Sequence, residues 1–486
     1  MQDRPNILFV MTDQLRPDAV GFGPYGHFPT PNLDRIAEGS VFSACQSVNP
    51  ICQPARAALL TGKYPHQIGL RTMSGDLSPQ HPTFARALQA VGYHTAAVGK
   101  LHYLQSWPWG TPRGEGNNLA AMREFFRRYG FDHVWQSAGK QLAVKDYCDW
   151  CAYLDERGLL EIYRDFSDGA GPNKPEPDTS LAADGHPLPF AGEHHVDEVT
   201  CREALRAMRE RPEGKPFFLM ASFCSPHKPF DPPQEYLDRV PYQEIDDFVP
   251  DSENGQVLSG EMKSVLWRLR RAYLATVLLV DDAVGRLLDE LDASGAADST
   301  LVLFSSDHGE MMGDHFRVQK AVPWYSSLTV PTTVRMPGAP LGLTHAAPVE
   351  LTDLTATILD AAGIDPQEAL SRPWPAGNAA VPCRSLLPMV RGETDSVREF
   401  SFSEGPDWEC LCTRTHKYVR ERRTSPQTPP VERLFDWSTD PAELENLAAR
   451  PESAETLEWF RARREWVVES TPPAQMLMEA GLPAAR

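Results

Sequence analysis

Compact apolar runs that end in polar or glycine-containing positions recur along the chain. The first is "PNILFVMT" at 5–12, and similar runs lie at 93–99, 216–223 and 299–307. Such runs are typical of strands buried on both faces. Apolar residues at three- and four-residue spacing predict a long helix at 261–294. Shorter helices are predicted at 30–40, 82–91 and 196–210. This alternation predicts an α/β fold with a doubly wound, largely parallel central sheet flanked by helices.

Two segments depart from the alternation. Residues 105–195 are rich in Trp, Gly, Pro and Asp, and we predict a long, loop-rich insert with short helices inside it, at the functional edge of the sheet. After about residue 375 the pattern changes to short antiparallel strands, followed by a helix at 453–468. We therefore predict a main α/β domain over 1–375 and a smaller α+β domain over 376–486, which ends in an extended tail.

The composition of the chain limits the kinds of partner that the protein can bind. The net charge of −19 argues against binding to nucleic acid or to an anionic membrane, because both need a basic face. No stretch approaches the roughly 20 apolar residues of a membrane span, and the N-terminal run lacks a signal-peptide pattern. Nine cysteines in a chain of 486 residues are not a disulfide framework. We therefore predict a cytoplasmic, thiol-reducing location.

The stretch "NPICQPARAALLTG" at 49–62 places a cysteine at a predicted helix entrance. Pro54 suits the first turn of the helix, and Gly62 suits its end. Backbone N–H groups at a helix N-terminus attract anions and lower a thiol pKa. Arg56 lies one turn after Cys52, so its guanidinium can reach back toward the thiol. Taken alone, the spacing leaves Cys52 open as a buried apolar residue, a disulfide half, a metal ligand or a nucleophile.

Polar residues also follow the predicted strands. Carboxylates at two strand ends supply hard oxygen ligands for a divalent cation, which imidazole and amide groups can complete. Since ligands bind beyond the carboxyl ends of strands in such sheets, we expect these side chains to meet. The candidates are Asp13, Gln14, Lys100, His102, His227, Asp307, His308 and, shortly afterwards, Lys320.

Other cysteine and histidine pairs have simpler interpretations. Cys148-x-x-Cys151 has no second cysteine pair or suitably spaced histidine, so we do not predict a zinc or redox site. Cys410-x-Cys412 alternates on a predicted strand, which places both thiols on one packed face. The pair at 194–195, two histidines within the insert, is predicted to lie in a surface loop.

Joined to its flanks, "CQPARAALLTG" resembles the Cys-x-Pro-x-Arg signature of the type I sulfatases, within the alkaline phosphatase superfamily. The resemblance covers most of the chain. It includes "RPNILFVMTDQLRPD", "GKYPHQIGL", "GYHTAAVGKLHY", "FSSDHGEMMGDH" and "ERLFDWSTDPAELENLA". It implies a sulfuric ester hydrolase that converts a sulfate monoester to an alcohol and inorganic sulfate.

The resemblance also implies two cofactors. One is Cα-formylglycine, formed from Cys52 by a formylglycine-generating enzyme, and the other is a divalent metal. The hydrated aldehyde is a geminal diol, of which one hydroxyl attacks sulfur in line while the S–O bond to the alcohol breaks and the alcohol leaves. The second hydroxyl is then deprotonated, and the aldehyde forms again as the C–O bond to sulfate breaks. A serine sulfate ester has no second hydroxyl and would need another attack at sulfur.

Site roles follow from the same resemblance, position by position. Asp13, Asp307 and His308 correspond to metal ligands, with Gln14 as a weaker fourth. Arg56 and Lys100 would orient the diol, and His102 resembles the base that helps to release sulfate. His227 and Lys320 correspond to contacts with the sulfate oxygens and the leaving-group oxygen.

The sequence departs from the commonest sulfatase pattern at two positions. Gln14 replaces the second Asp of an Asp-Asp pair, and His308 replaces the Asn of an Asp-Asn pair. Both features resemble the branch with choline sulfatases, bacterial arylsulfatases and phosphonate monoester hydrolases. We expect Ca²⁺ as the metal. Mn²⁺ is the alternative, because an imidazole nitrogen joins the donor set.

Two alternative functions stay open from the sequence. One is a phosphonate monoester or phosphodiester hydrolase that uses the same site. The other is a non-catalytic binding protein, for which Cys52 would be unmodified and dispensable. The physiological ester is open, and the tail at 470–486 is long enough to reach a second subunit in a homo-oligomer.

Overall fold

The computed structural model describes residues 4–23, 28–107, 111–168, 185–251, 253–371, 381–422 and 429–473. In chain order the strands are β1 Asn6–Asp13, β2 Ser40–Phe42, β3 Cys45–Gln46, β4 His94–Lys100, β5 His133–Ser137, β6 Phe217–Pro226, β7 Thr300–Ser306, β8 Thr332–Arg335, β9 Leu343–His345, β10 Val349–Glu350, β11 Ser401–Glu404, β12 Trp408–Cys412, β13 His416–Glu421 and β14 Glu432–Asp436.

The helices alternate with these strands over most of the chain. They are α1 Pro31–Ala37, α2 Cys52–Thr61, α3 Pro65–Ile68, α4 Phe84–Ala90, α5 Arg123–Arg127, α6 Asp149–Asp155, α7 Leu160–Asp168, α8 Val196–Arg209, α9 Gln234–Leu237, α10 Gly260–Ala293, α11 Tyr325–Leu328, α12 Asp353–Ala361, α13 Pro366–Ser371, α14 Leu387–Val390 and α15 Ala454–Ser470.

An eight-stranded sheet in the order β5-β4-β6-β1-β7-β8-β2-β9 forms the centre of the molecule. Each neighbouring pair is parallel except the two that involve β8, which runs antiparallel to β7 and β2. The carboxyl ends of β1, β4, β6 and β7 therefore meet at one edge of the sheet. This arrangement confirms the predicted fold class.

The middle of the sheet is covered on both faces. From Ile7 to Met11 in β1, no side chain is more than 1% exposed. An antiparallel sheet with one wet face would alternate instead. Helix α10 packs against α8, α1 and β6 and buries residues at the predicted helical spacing, among them Tyr273, Val280 and Leu287. Each such side chain contributes about 1.5–3 kcal/mol when it is removed from water.

The insert at 105–195 contains a strand that we did not predict, in addition to the short helices that we did. Its residues His133–Ser137 form β5, which pairs in parallel with β4 and makes one edge of the central sheet. Helices α5, α6 and α7 lie in the same segment. The strand is five residues long, so it carries little periodic signal and its pairing depends on β4. Parts of the insert, including 169–184, lie outside the described residues.

Strands β11–β14 form a separate antiparallel sheet in sequential order, as predicted for the C-terminal segment. Its apolar face packs on α15 and also on Ala58 and Tyr64, which lie within and just after α2. The predicted boundary at residue 375 falls outside the described residues, as does most of the tail at 470–486, so the division into domains stays a prediction. Among the described helices, none is long and apolar enough to cross a membrane.

Candidate active site

Helix α2 begins at Cys52, as the sequence predicts. The preceding residue, Ile51, is extended (φ −134°, ψ 130°), and Pro54 lies in the first turn, where no backbone N–H is required. The helix ends at Gly62, whose left-handed φ of 65° suits glycine. All ten side chains of α2 are buried. The thiol of Cys52 therefore lies at an interior helix N-terminus.

Three of the predicted metal ligands meet at this point. The ligand atoms of Asp13, Cys52, Asp307 and His308 all lie within 4.8 Å of one another, and all four residues are buried. The Cys52 Sγ lies 3.1 Å from His308 Nε2 and 3.6 Å from Asp13 Oδ1. His308 Nε2 lies 3.5 Å from Asp307 Oδ1. Asp13 ends β1 and Asp307 follows β7, so adjacent strands bring the carboxylates together.

The orientation of these donors suits a divalent cation. His308 Nδ1 lies 2.9 Å from the Gly309 carbonyl oxygen, to which it donates, so Nε2 presents its lone pair to the cluster. Backbone N–H groups of Gln14 and His308 donate to Asp307 Oδ1 at 3.0 and 2.9 Å. Two carboxylates and one imidazole form a donor set that fits Ca²⁺ or Mn²⁺.

Three cations surround the same cluster. Lys320 Nζ lies 3.0 Å from Cys52 Sγ, and Lys100 Nζ contacts Asp13 Oδ2. Arg56 donates from Nε to Asp307 Oδ2 at 2.7 Å. Burial alone would raise the pKa of the Cys52 thiol, but the charges of Lys100 and Lys320 outweigh it and hold that pKa well below its usual value. The site is therefore built to stabilise negative charge at position 52.

Arg56 is fixed by groups that the sequence did not identify. Its Nη1 donates to the Lys100 carbonyl oxygen at 2.6 Å and to Ser222 Oγ at 2.8 Å. These contacts direct Nε toward Asp307. Ser222 lies on β6, 166 residues from Arg56, so no local motif marks it. Its only sequence signal is a hydroxyl near the end of a buried strand.

Two histidines complete the wall around Cys52. His102 Nε2 lies 2.9 Å from Ser106 Oγ, and His227 Nδ1 lies 2.7 Å from the Lys228 carbonyl oxygen. Both imidazoles also interact with the Cys52 side chain. Burial and the nearby charge of Lys320 lower the pKa of His227 to about 3, and burial lowers the pKa of His102. Both rings are therefore neutral near pH 7 and have a nitrogen available for proton transfer.

Gln14, the predicted fourth ligand, lies beside the cluster with a left-handed φ of 69°. Its Oε1 accepts a hydrogen bond from Lys320 Nζ at 2.7 Å, and its Nε2 donates to Glu310. The Tyr273 hydroxyl donates to the Gln14 carbonyl oxygen at 2.8 Å. Glu310 and Tyr273 are two site neighbours that the sequence did not reveal.

The prediction of a surface loop at His194–His195 is wrong for the second histidine. His195 is 1% exposed and lies between Asp197 and Asp231, 3.6 Å from a carboxylate oxygen of each. Lys140, also buried, donates to Asp231 Oδ1 at 2.8 Å and to Ser225 Oγ at 3.2 Å. The histidine is the N-cap of α8, and Asp197 in the first turn of that helix accepts from the backbone N–H groups of Cys224 and Ser225 near the end of β6.

The fold and this cluster define the class: a doubly wound α/β domain with a buried cysteine among carboxylates and cations at the carboxyl edge of its sheet. Residues 5–364 match the family model "Sulfatase". The chain belongs to the Sulfatase family.

Similar proteins cover nearly the whole chain. An arylsulfatase of Clostridium perfringens is 28% identical, over 94% of this chain and 93% of its own. A choline-sulfatase of Rhizobium meliloti is also 28% identical, over 96% of this chain and 88% of its own. The solved phosphonate monoester hydrolase of Agrobacterium radiobacter superposes with a TM-score of 0.75 at 23% identity, covering 99% of this chain and 98% of that one. This last likeness concerns the fold.

Proposed function

We propose that this protein hydrolyses sulfate monoesters to an alcohol and inorganic sulfate. One observation carries the proposal: Cys52, at the start of a buried helix, faces two carboxylates, an imidazole and the Lys100 and Lys320 ammonium groups. A sulfate group needs this combination, because negative charge on its oxygens and on the leaving group must be neutralised in the transition state. Membership of the Sulfatase family supports the same reaction.

Two groups complete the site in this proposal. Asp13, Asp307 and His308 would hold one divalent metal, with Gln14 as a fourth donor, and a formylglycine-generating enzyme would oxidise Cys52 to Cα-formylglycine. When bound, the metal supplies Lewis-acid charge, and the hydrated formylglycine supplies the nucleophilic hydroxyl. We infer Ca²⁺ as the metal and Mn²⁺ as the alternative, because the donors are mainly carboxylate oxygens with one imidazole nitrogen.

The residues of the chain would divide the remaining work. Lys100 and Arg56 fix the carboxylates of Asp13 and Asp307 and add positive charge beneath position 52. Lys320 has its Nζ 3.0 Å from the Cys52 sulfur, where it can contact a sulfate oxygen or the leaving-group oxygen.

The two neutral histidines would move protons. His227 follows β6, and its Nδ1 donates to the Lys228 carbonyl oxygen, which leaves Nε2 free for the substrate. The negative charge of a bound sulfate would raise the pKa of this ring, so that Nε2 takes up a proton and passes it to the leaving alcohol as the S–O bond breaks. His102 follows β4 and would accept a proton from the group at position 52 when sulfate is released.

Other parts of the proposal concern the setting of the enzyme. All nine cysteines are free and buried, which suits a reducing, cytoplasmic location. The relatives named arylsulfatase and choline-sulfatase point to a small sulfate ester as substrate. We also propose that the chain forms a homo-oligomer, which size-exclusion chromatography with light scattering would test.

Mass spectrometry of the peptide that contains residue 52 and metal analysis of the same sample test the site. We expect an aldehyde in place of the thiol and one equivalent of Ca²⁺ or Mn²⁺. An unmodified thiol in a sample that nevertheless hydrolyses sulfate esters would overturn the formylglycine assignment. Cys52→Ala separates an enzyme from a binding protein, because only an enzyme loses its function through this change.

Parallel assays with an aryl sulfate, an aryl phosphonate monoester and an aryl phosphodiester test the substrate class. We expect the highest kcat/KM for the sulfate. If the sulfate is the poorest of the three, the chain is instead a phosphonate monoester or phosphodiester hydrolase that uses the same residues.

A further inference from the structure

The side-chain amide of Gln14 bridges an acid and a base. On one side its Nε2 donates to Glu310 Oε2. On the other side its Oε1 accepts from Lys320 Nζ at 2.7 Å, and that same Nζ lies 3.0 Å from Cys52 Sγ. Gln14 and Glu310 are 1% and 2% exposed, so water does not compete for the contact between them, whereas Lys320 is partly buried.

The partners fix which end of the amide faces the site. A lysine ammonium can only donate hydrogen bonds, so the amide oxygen must face Lys320. The oxygens of a carboxylate accept hydrogen bonds, and backbone N–H groups of Met312 and Gln319 already hold Oε1, so the amide NH₂ faces Oε2 of Glu310. The amide direction therefore follows from chemistry and not from the assignment of O and N alone.

The two oxygens of Glu310 have separate partners. Oε1 accepts from the backbone N–H groups of Met312, at 3.0 Å, and of Gln319. Oε2 accepts from Gln14 Nε2. The backbone thus holds the carboxyl group in one orientation, with one oxygen always presented to Gln14.

We propose that Glu310 is a positioning residue that sets the direction of the Gln14 amide, so that the amide oxygen faces Lys320 and the metal ligands. Through this chain of contacts it also holds the Lys320 ammonium against position 52. The inference deepens the proposed function, since it takes the cluster around Asp13 as a metal site. It also explains how a buried acid can lie beside position 14: an amide can donate to it, whereas the carboxylate usual there in sulfatases would repel it.

Glu310→Gln provides the first test. The amide oxygen of the new side chain must accept from Met312 and Gln319, which leaves its NH₂ facing the NH₂ of Gln14. Gln14 must then rotate, and its own NH₂ faces Lys320. We expect cation affinity, measured by calorimetry with Ca²⁺ and Mn²⁺, to fall by about 10- to 100-fold, as is typical for the outer partners of ligands.

The reciprocal double variant, Gln14→Glu with Glu310→Gln, provides the decisive test. It carries the same net charge as the wild type, and the amide at 310 now donates to the carboxylate at 14, which still accepts from Lys320. Gln14→Glu alone places two carboxyl groups face to face and should lower the melting temperature of the metal-free protein. We expect the second change to restore both that temperature and most of the cation affinity lost in Glu310→Gln.

The four proteins of this cycle distinguish positioning from a simple charge effect. If Glu310 acts only through its charge, Glu310→Gln weakens cation binding equally with Gln or Glu at position 14, and the inference is overturned. Asp281→Asn is the matched control, a buried acid that contacts the start of α1 and should leave cation affinity unchanged. A wild type that binds the cation and shows this coupling but hydrolyses no sulfate ester would refute the proposed function and leave the inference intact. A wild type that hydrolyses sulfate esters but shows no coupling between positions 14 and 310 would refute the inference and leave the proposed function intact.

Discussion

Cys52 and Cys45 are equally buried thiols in opposite surroundings. Cys45 is 0% exposed and Cys52 is 1% exposed, and both are free. Cys45 lies on β3, which pairs with β10, and burial raises the pKa of its thiol to about 12. Cys52 lies at the start of α2, where neighbouring cations hold its pKa well below the usual value.

The comparison shows that burial does not decide the chemistry of a cysteine in this protein. Desolvation acts on both thiols in the same direction, so the difference comes from what each thiol faces. Cys52 faces Lys320 at 3.0 Å and a helix N-terminus, and both favour an anion. The same field would stabilise the sulfate oxygens in the proposed reaction.

The largest expected effect comes from replacing the two thiols separately. Cys52→Ala removes the proposed nucleophile, and we expect kcat for an aryl sulfate to fall by about 10⁴-fold or more. Cys45→Ala should keep kcat and cost about 1 kcal/mol of stability, through lost packing. Steady-state kinetics and thermal unfolding of both variants measure the contrast. Equal activity of the two variants would show that Cys52 has no special role.

The sequence predicted the parts of the site that local patterns mark. Asp13 and Asp307 follow long apolar strands, and Cys52 lies between a proline in the first turn and a glycine stop. Strand β5 was missed because five residues carry little periodicity, and its pairing partner decides its structure.

The supporting residues could not be found in the same way. Glu310 contacts Gln14 across 296 residues, and Ser222 contacts Arg56 across 166. Such contacts exist only after the sheet has formed, so neither spacing nor residue type marks them beforehand. His195 was missed for a related reason, because its burial depends on two aspartates that the fold brings to it.

Removal of the metal should have the next largest effect. The proposed metal site lies beside Cys52 and not beside Cys45, so this test again concerns only the surroundings of Cys52. Without a cation, the carboxylates of Asp13 and Asp307 lose a Lewis acid that contributes several kcal/mol to catalysis, so we expect chelation to lower kcat by about 10³-fold. It should also lower the melting temperature, since a cation at 100 times its Kd stabilises by about 2.7 kcal/mol.

Added Ca²⁺ or Mn²⁺ should restore both properties, and the cation that does so at the lower concentration identifies the preferred metal. Cys45→Ala should respond to chelation as the wild type does. Full activity after exhaustive dialysis against chelator, with metal analysis showing none bound, would contradict the metal site.

The same kind of comparison can be made between two lysines, one beside Cys52 and one in the C-terminal sheet. Lys320 contacts position 52, whereas Lys417 in the C-terminal sheet is fully buried and paired with Glu443 at 2.5 Å. We expect Lys320→Met to lower kcat by about 10²-fold, as loss of one transition-state donor does. Lys417→Met should leave kcat unchanged but cost about 3–5 kcal/mol of stability, because the buried carboxylate of Glu443 loses its cationic partner and keeps neutral donors such as Trp437. If Lys417→Met lowers kcat and Lys320→Met does not, the positive charge that catalysis needs lies in the C-terminal sheet.

The smallest expected effect concerns the loop after β6 that carries His227. Lys140 contacts Ser225 before this histidine and Asp231 after it, so it fixes both sides of the loop. Ser225→Ala removes only the first contact and keeps the buried ion pair with Asp231. Since small misplacement of a catalytic group is costly, we expect kcat to fall by about tenfold while the Kd for the metal stays the same. Leaving-group dependence provides the specific readout: the loss should be largest for esters of poorly acidic alcohols, which depend most on proton donation by His227. A uniform loss across all esters would mean that the contact stabilises the fold and does not position the acid.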